Sequence, residues 1–122
     1  MRARVAAAYL VAQGIGVIAW WVAMAADDTI RDWFVGDQWQ TLRLYAVADV
    51  PTAGLGSIIV GLGLRADHAW RRVAHAALIG SYAVATLVAF AWAFAPVSRP
   101  LGIVCMTPAF ALTVLTWRAE PA

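Results

Sequence analysis

Four long apolar runs dominate this sequence and constrain its fold more than any other feature. Residues 5–26, 44–64, 73–95 and 101–117 contain a single carboxylate and no arginine or lysine. A helix of about 20 residues is ~30 Å long, which matches the hydrocarbon thickness of a bilayer. Hydrophobic residues make up 63% of the chain, against ~45–50% in soluble domains. We therefore expect one all-α membrane domain over residues 1–122 with four spans.

The first run follows a short basic start, and this pattern has two interpretations. Residues 1–4 read MRAR, and residues 23–25 (AMA) fit the small-residue pattern of a signal-peptide cleavage site. Residues 5–26 are, however, longer than the ~7–15 residues of a signal-peptide core. We expect this helix to be retained, with cleavage near residue 26 as the alternative.

A polar segment over residues 27–43 separates the first two runs. Within it Ile30, Trp33 and Phe34 share one helical face, and the charges lie elsewhere. This pattern predicts a short interfacial helix, with Trp33 and Trp39 at the depth of the lipid headgroups. The segment is then a solvated connector anchored by aromatic rings or, in the alternative interpretation, a lid over a site beneath it.

Arginine is distributed unevenly between the two ends of the spans. With a cytoplasmic N-terminus, six arginines are inside and three are outside. Loops facing the cytoplasm carry the excess of positive charge. Because the connections are short, sequential helices pack as neighbours. The sequence thus predicts an up-down-up-down four-helix bundle in the bacterial inner membrane, with both termini cytoplasmic. The inner arginines are Arg2, Arg4, Arg65, Arg71, Arg72 and Arg118; the outer ones are Arg31, Arg43 and Arg99.

The second run carries the most unusual residue of the chain, Asp49, two positions before Pro51. An ionisable residue inside a span points by default to a functional site. Ala53, Ser57 and Gly61 repeat every four residues and would let another helix approach closely. We therefore expect Asp49 to face protein, in the outer half of the membrane, with a kink at Pro51.

Matching depths along the four helices places aromatic and polar residues near Asp49. Such a chamber would suit a small apolar or cationic ligand, held by ring faces and a counter-charge. In the structural alternative, Arg43 or Arg99 pairs with Asp49, or Thr107 or Tyr45 donates to it. The predicted binding residues are Asp49, Tyr45, Trp20, Trp21, Trp92, Thr107 and Cys105.

The remaining polar residues indicate structural roles. Gln13 is expected to hydrogen-bond another helix, and Cys105 to be a small buried apolar residue. His68 and His75 are seven residues apart, but the chain has no third histidine. We interpret them as loop and interface residues and predict no metal, no cofactor and no nucleic-acid partner.

These patterns favour three functions. The first is a ligand-binding or accessory membrane protein, surrounded by lipid and acting in a homo- or hetero-oligomer. The second is a proton- or cation-coupled transporter that uses Asp49. Small multidrug resistance transporters have a similar size and one membrane carboxylate, but their essential Glu is in the first helix, where this chain has Gln13. The third is an intramembrane enzyme acting on a lipid or isoprenoid, which would need a second catalytic group beside Asp49.

Overall fold

The computed structural model describes residues 2–94 and 100–120, apart from the side chains of Asp37, Trp92 and Ala93. Within these residues the regular structure is entirely helical, as expected. Two 3₁₀ turns, Gly36–Gln38 and Trp117–Ala119, adjoin the α-helices. The α-helices are α1 (Ala3–Ala26), α2 (Asp28–Phe34), α3 (Trp39–Asp49), α4 (Gly56–Ala66), α5 (Arg71–Ala93) and α6 (Leu101–Thr116).

Four helices in the described part of the chain are long and apolar enough to cross a membrane, which is the pattern of a membrane protein. The second of them runs continuously from Trp39 to Ala66, five residues earlier than the apolar run itself. Residues 39–43 are therefore helical rather than part of a loop. The predicted end of the third run, at residue 95, lies outside the described residues.

A π-helical turn, Val50–Leu55, joins α3 to α4 directly after Asp49. Pro51 lies inside it, and a proline has no N–H to donate and crowds the carbonyl four residues earlier. The turn that contains Pro51 is wider than an α-helical turn, since the Gly56 N–H bonds to the carbonyl of Pro51, five residues back. Such turns interrupt α-helices frequently at functional sites.

Helices α1 and α4 pack closely through glycine. A Cβ atom on Gly61 would lie 2.8 Å from the Ala7 carbonyl oxygen and 2.9 Å from a methyl carbon of Val11. A Cβ atom on Gly14 would meet the carbonyl oxygen of Gly54. Contacts this short exist only because these residues have no side chain, and small residues serve this purpose in membrane helices generally.

Helices α5 and α6 form a second closely packed pair, and a shared core joins it to the first. The core contains Leu10 of α1, Val60 of α4, and Leu78 and Tyr82 of α5, all at most 3% exposed. Ala53 and Ser57 of the predicted small-residue series are also buried. That face of the second span therefore does point into the protein.

The short helix α2 covers one end of this arrangement, which we call the α2 end. Asp27 caps α2 by accepting hydrogen bonds from the N–H groups of Thr29 (2.8 Å) and Ile30 (3.2 Å). Val35, just after the helix, is buried against Trp21 and Met24 of α1. The opposite end, where Ala6, Leu64 and Ala119 are in contact, we call the termini end.

Candidate functional site

A cavity of about 590 Å³ lies between the two helix pairs at the α2 end. Its walls come from α1, from the α2 segment, from α3 with the π-helical turn after it, from α5 and from α6. Several lining residues are exposed, so the cavity is a cleft that opens at the protein surface. Its lining comprises Trp20, Trp21, Phe34, Val35, Leu42, Tyr45, Ala48, Asp49, Thr52, Ala77, Gly80, Ser81, Val84, Ala85, Val88, Ala89, Gly102, Cys105 and Met106.

Asp49 is on the α3 side of this cavity and is partly buried. Helical periodicity explains the arrangement, since Tyr45, Ala48 and Thr52 line the cavity with it and are three or four residues apart. A four-residue step exceeds one 3.6-residue turn by about 40°, so the series Ala53, Ser57, Gly61 turns progressively away from the cavity.

Asp49 has no ion-pair partner among the described residues. Arg43, one of its two predicted cationic partners, is exposed and does not line the cavity. Arg99, the other, lies outside the described residues. Tyr45 and Thr107, the predicted neutral donors, make no hydrogen bond to it. The carboxylate thus adjoins the cavity without a cationic partner from the described part of the chain.

Two aromatic rings of α1 line the cavity together with Asp49. The rings of Trp20 and Trp21 meet edge to face with centroids 4.7 Å apart, and Trp20 packs on Phe34 at 5.3 Å. Trp21 also neighbours Asp49. The buried indole Nε1 atoms of both tryptophans lack a hydrogen-bond partner among the described residues. Unpaired buried polar groups are rare in proteins, and here they lie near a carboxylate that has no ion-pair partner among the described residues.

Two of the residues predicted for this chamber need correction. Thr107 is exposed and does not line the cavity. It follows Cys105 by two residues, and a turn of ~200° places it on the opposite face of α6. Cys105 is exposed and lines the cavity instead of being buried in a core. The side chain of Trp92 lies outside the described residues. Asp49, Tyr45, Trp20, Trp21 and Cys105 do line one common cavity.

Apolar side chains form most of the remaining wall, and the nearby hydroxyl groups donate hydrogen bonds to backbone carbonyls. The Ser81 hydroxyl donates to the Ala77 carbonyl at 3.0 Å, and the Thr52 hydroxyl donates to the Ala48 carbonyl at 2.7 Å. Asp49 is therefore the one charged group on an otherwise apolar surface of the described cavity. An arrangement of this kind can hold an apolar molecule and attract a cation, but it offers no paired acid and base.

Polar side chains also join the two helix pairs below the cavity. The amide Nε2 of Gln13 donates to the Thr113 hydroxyl at 2.8 Å, which links α1 to α6. The hydroxyls of Ser57 and Tyr82 are 3.2 Å apart and link α4 to α5. Because the Ser57 hydroxyl donates to the Ala53 carbonyl at 2.5 Å, Tyr82 is the donor to Ser57.

A second polar centre, which the sequence did not predict, lies at the termini end. The Glu120 carboxylate accepts from Arg71 Nε at 3.0 Å, and its other oxygen lies 2.8 Å from His75 Nδ1. His75 Nε2 is 2.8 Å from the Thr116 hydroxyl. His75 and Thr116 are completely buried, and the Glu120 side chain is only 2% exposed. We call these four residues the Glu120 cluster.

Hydrogen bonding determines where the protons of this cluster lie. The Thr116 hydroxyl donates to the Thr113 carbonyl at 2.6 Å, so it accepts from His75 Nε2. One further proton must then lie between His75 Nδ1 and Glu120. The order carboxylate, imidazole, hydroxyl is that of a hydrolase triad. Thr116 is 0% exposed, however, so no substrate can reach its hydroxyl.

The structure confirms the loop position of His68 but changes the predicted role of His75. His75 is a buried core residue and not an interface residue, whereas His68 lies in the α4–α5 loop with its ring stacked on Trp70 at 5.6 Å. They do not share a site. Among the described residues no group of three or more His, Cys, Asp or Glu side chains could hold a metal.

Comparison with known proteins gives no match for this chain, whether with family models, with curated proteins or with solved structures. The interpretation of the cavity therefore depends on its own geometry and chemistry.

Proposed function

We propose that this protein binds a small, largely apolar or cationic molecule in the cavity beside Asp49, as a binding protein or as an accessory subunit of a larger assembly. The observation that carries the proposal is the cavity itself, about 590 Å³, with a carboxylate on an apolar wall that has no ion-pair partner among the described residues. Ligand sites commonly measure ~300–1,000 Å³, with apolar linings and few polar groups. The ring faces of Trp20 and Trp21 add favourable surface for a cation.

Filling the cavity should abolish this binding. Ala85 lines the cavity, whereas Ala76 is exposed on the same helix outside it. In nanodiscs, wild-type protein and Ala76→Phe should bind tetraphenylphosphonium or N-phenyl-1-naphthylamine saturably, and Ala85→Phe should not. Asp49→Asn should weaken binding of the phosphonium cation by about tenfold or more, because a partly desolvated charge pair is lost.

Three results would speak against a ligand site at this position. The first is that neither probe binds saturably to the wild-type protein. The second is equal binding by Ala85→Phe and the wild-type protein. The third is equal loss in Ala85→Phe and Ala76→Phe, which would indicate a general disturbance of α5. Thermal unfolding of each variant in detergent provides the control for folding.

We further propose that the four spans form an up-down-up-down bundle in the inner membrane of a bacterium, with both termini cytoplasmic and α2 in the outer interface. The supporting pattern is the excess of arginine at the termini end. Under this proposal, Asp49 and the cavity belong to the outer half of the membrane.

Cysteine labelling tests this orientation. In a Cys105→Ser background, an impermeant maleimide applied to intact cells should label Asp32→Cys, which is exposed near α2. It should label Asp67→Cys, whose native side chain is 81% exposed, only after the membrane is permeabilised. The reverse pattern would overturn the orientation.

Proton-coupled transport is the second candidate function. Its support is the series of polar contacts that leads from the Glu120 cluster through Thr113 and Gln13 towards Tyr82, below Asp49. In this function Asp49 exchanges a proton against a substrate. Proteoliposomes should then take up tetraphenylphosphonium when a pH gradient is imposed, and Asp49→Asn should abolish that uptake. Binding without uptake would leave the first function as the better account.

An intramembrane enzyme acting on a lipid or isoprenoid is supported least. The cavity provides Tyr45, Ser81 and Cys105 near Asp49, but no hydrogen bond joins any of them to the carboxylate. An acid–base reaction needs such a partner within hydrogen-bond reach.

Assembly into a homo- or hetero-oligomer within the lipid bilayer also stays a proposal.

A further inference from the structure

A second cavity, of about 710 Å³, forms a groove along the contact between α1 and α4. It shares no lining residue with the Asp49 cavity, and neither the proposed function nor the Glu120 cluster uses it. We call it the α1–α4 groove. Its lining is Arg4, Ala7, Ala8, Val11, Ala12, Ile15, Gly61, Leu62 and Arg65.

The shape of the α1–α4 groove follows from the small residues where the helices meet. Gly61 approaches the backbone at Ala7 so closely that a Cβ atom there would lie 2.8 Å from the Ala7 oxygen. Ile15 and Leu62 are more than half exposed and form apolar walls. From Arg4 to Ile15 α1 rises about 16 Å, which is close to half of a ~30 Å hydrocarbon core.

Two arginines occupy the termini end of the α1–α4 groove. Arg4 and Arg65 both line it and both are exposed. Among the described residues neither makes an ion pair or a side-chain hydrogen bond. Two other arginines at this end are engaged, since Arg71 bonds to Glu120 and Arg72 lies over the Trp117 ring at 5.9 Å.

We propose that the α1–α4 groove binds one anionic phospholipid, with its phosphate on Arg4 and Arg65 and one acyl chain along the groove as far as Ile15. Charge selects the headgroup, because two unpaired cations favour a lipid with net negative charge over a zwitterionic one. Length selects the tail, because the groove extends through one leaflet. Basic sites between membrane helices bind such headgroups in other proteins.

Native mass spectrometry of the purified protein with added lipid tests this site. Wild-type protein should retain dioleoylphosphatidylglycerol about tenfold better than dioleoylphosphatidylcholine. The double variant Arg4→Gln, Arg65→Gln should lose this preference. The double variant Arg72→Gln, Arg118→Gln removes the same charge at the same end but should keep it, because these arginines do not line the groove.

Two further measurements distinguish the contribution of the lipid phosphate to binding from that of the acyl chain. Ala8 and Ala12 line the groove and are exposed, so Ala8→Leu, Ala12→Leu should fill it without a clash and reduce phosphatidylglycerol retention several-fold. Glycerol 1-phosphate, which has the phosphate and no chain, should not compete. The proposal is overturned if both arginine pairs behave alike, if the choline lipid binds equally well, or if the leucine variant retains the lipid unchanged.

Discussion

Gly14→Ala should destabilise this protein by about 2–3 kcal/mol, although it adds a single methyl group. The new Cβ atom would overlap the carbonyl oxygen of Gly54 and lie 2.7 Å from a side-chain carbon of Ile58. A backbone oxygen has no rotamer to move to, so α1 and α4 would have to separate along their contact. Overpacking of well-packed cores costs typically ~1–3 kcal/mol, and a backbone contact belongs at the upper end.

Gly16→Ala is the matched control for this prediction. It is the same substitution two residues further along α1, where a Cβ atom would meet nothing within 4 Å. Both variants raise helix propensity by about 1 kcal/mol at most, so any difference reports on the contact with α4. The free energy of unfolding would be measured by sodium dodecyl sulfate titration in mixed micelles. Equal stabilities for the two variants would contradict the close approach of α1 and α4.

Glu120→Gln should have the largest effect among substitutions of charged residues, about 3 kcal/mol of destabilisation. The Glu120 side chain is 2% exposed, and it is the carboxylate that both Arg71 and His75 contact. Removing its charge leaves the largely buried Arg71 with only an exposed partner. Breaking a buried ion pair from one side costs about 3–5 kcal/mol, because the remaining charge is uncompensated.

Asp67→Asn tests whether burial of the carboxylate accounts for the expected loss of stability. Asp67 also pairs with Arg71, at 2.9 Å, but its side chain is 81% exposed. Solvent-exposed pairs contribute ~0–1 kcal/mol, so this variant should unfold almost as the wild type does. Limited proteolysis of the C-terminal segment gives a second measurement, and Glu120→Gln should be cut faster than Asp67→Asn. Equal stabilities for the two variants would contradict a stabilising role of the buried Glu120 carboxylate.

Much of the Asp49 region followed from the sequence, because the signals there are strong and local. A carboxylate in an apolar run stands out, and helical periodicity gave Tyr45, one turn before it, as a residue that lines the cavity with it. Ala53 and Ser57, predicted for the same face, are buried in the protein instead. Depth matching from the other helices gave Trp20, Trp21 and Cys105, which line the cavity with Asp49. The same method failed for Thr107 because depth fixes the level of a residue but not the face on which it lies.

The Glu120 cluster could not be predicted from the sequence, because the sequence does not show which faces of two helices pack together. Glu120 is the one glutamate of the sequence and lies in the short polar segment after the fourth apolar run, and polar residues of such segments usually contact solvent. The available signal was partial, since the three-residue spacing of Thr113 and Thr116 places them on one face of α6, whereas Glu120 follows the 3₁₀ turn after that helix. Arg71 and His75 are four residues apart on α5. Pairing these two faces requires the three-dimensional packing of α5 on α6.

The glycine contacts between α1 and α4 also bear on how this protein can evolve. A larger residue at position 14, 54 or 61 meets backbone or a neighbouring side chain across the contact, and no single second substitution can shrink a carbonyl group. The cavity walls on α5 carry no such constraint, because Val84 and Val88 border open volume. Among descendants of one ancestral gene, we expect these three positions to stay small while the valines diverge. The ligand preference would then differ between lineages, whereas the close packing of α1 against the second span would stay the same.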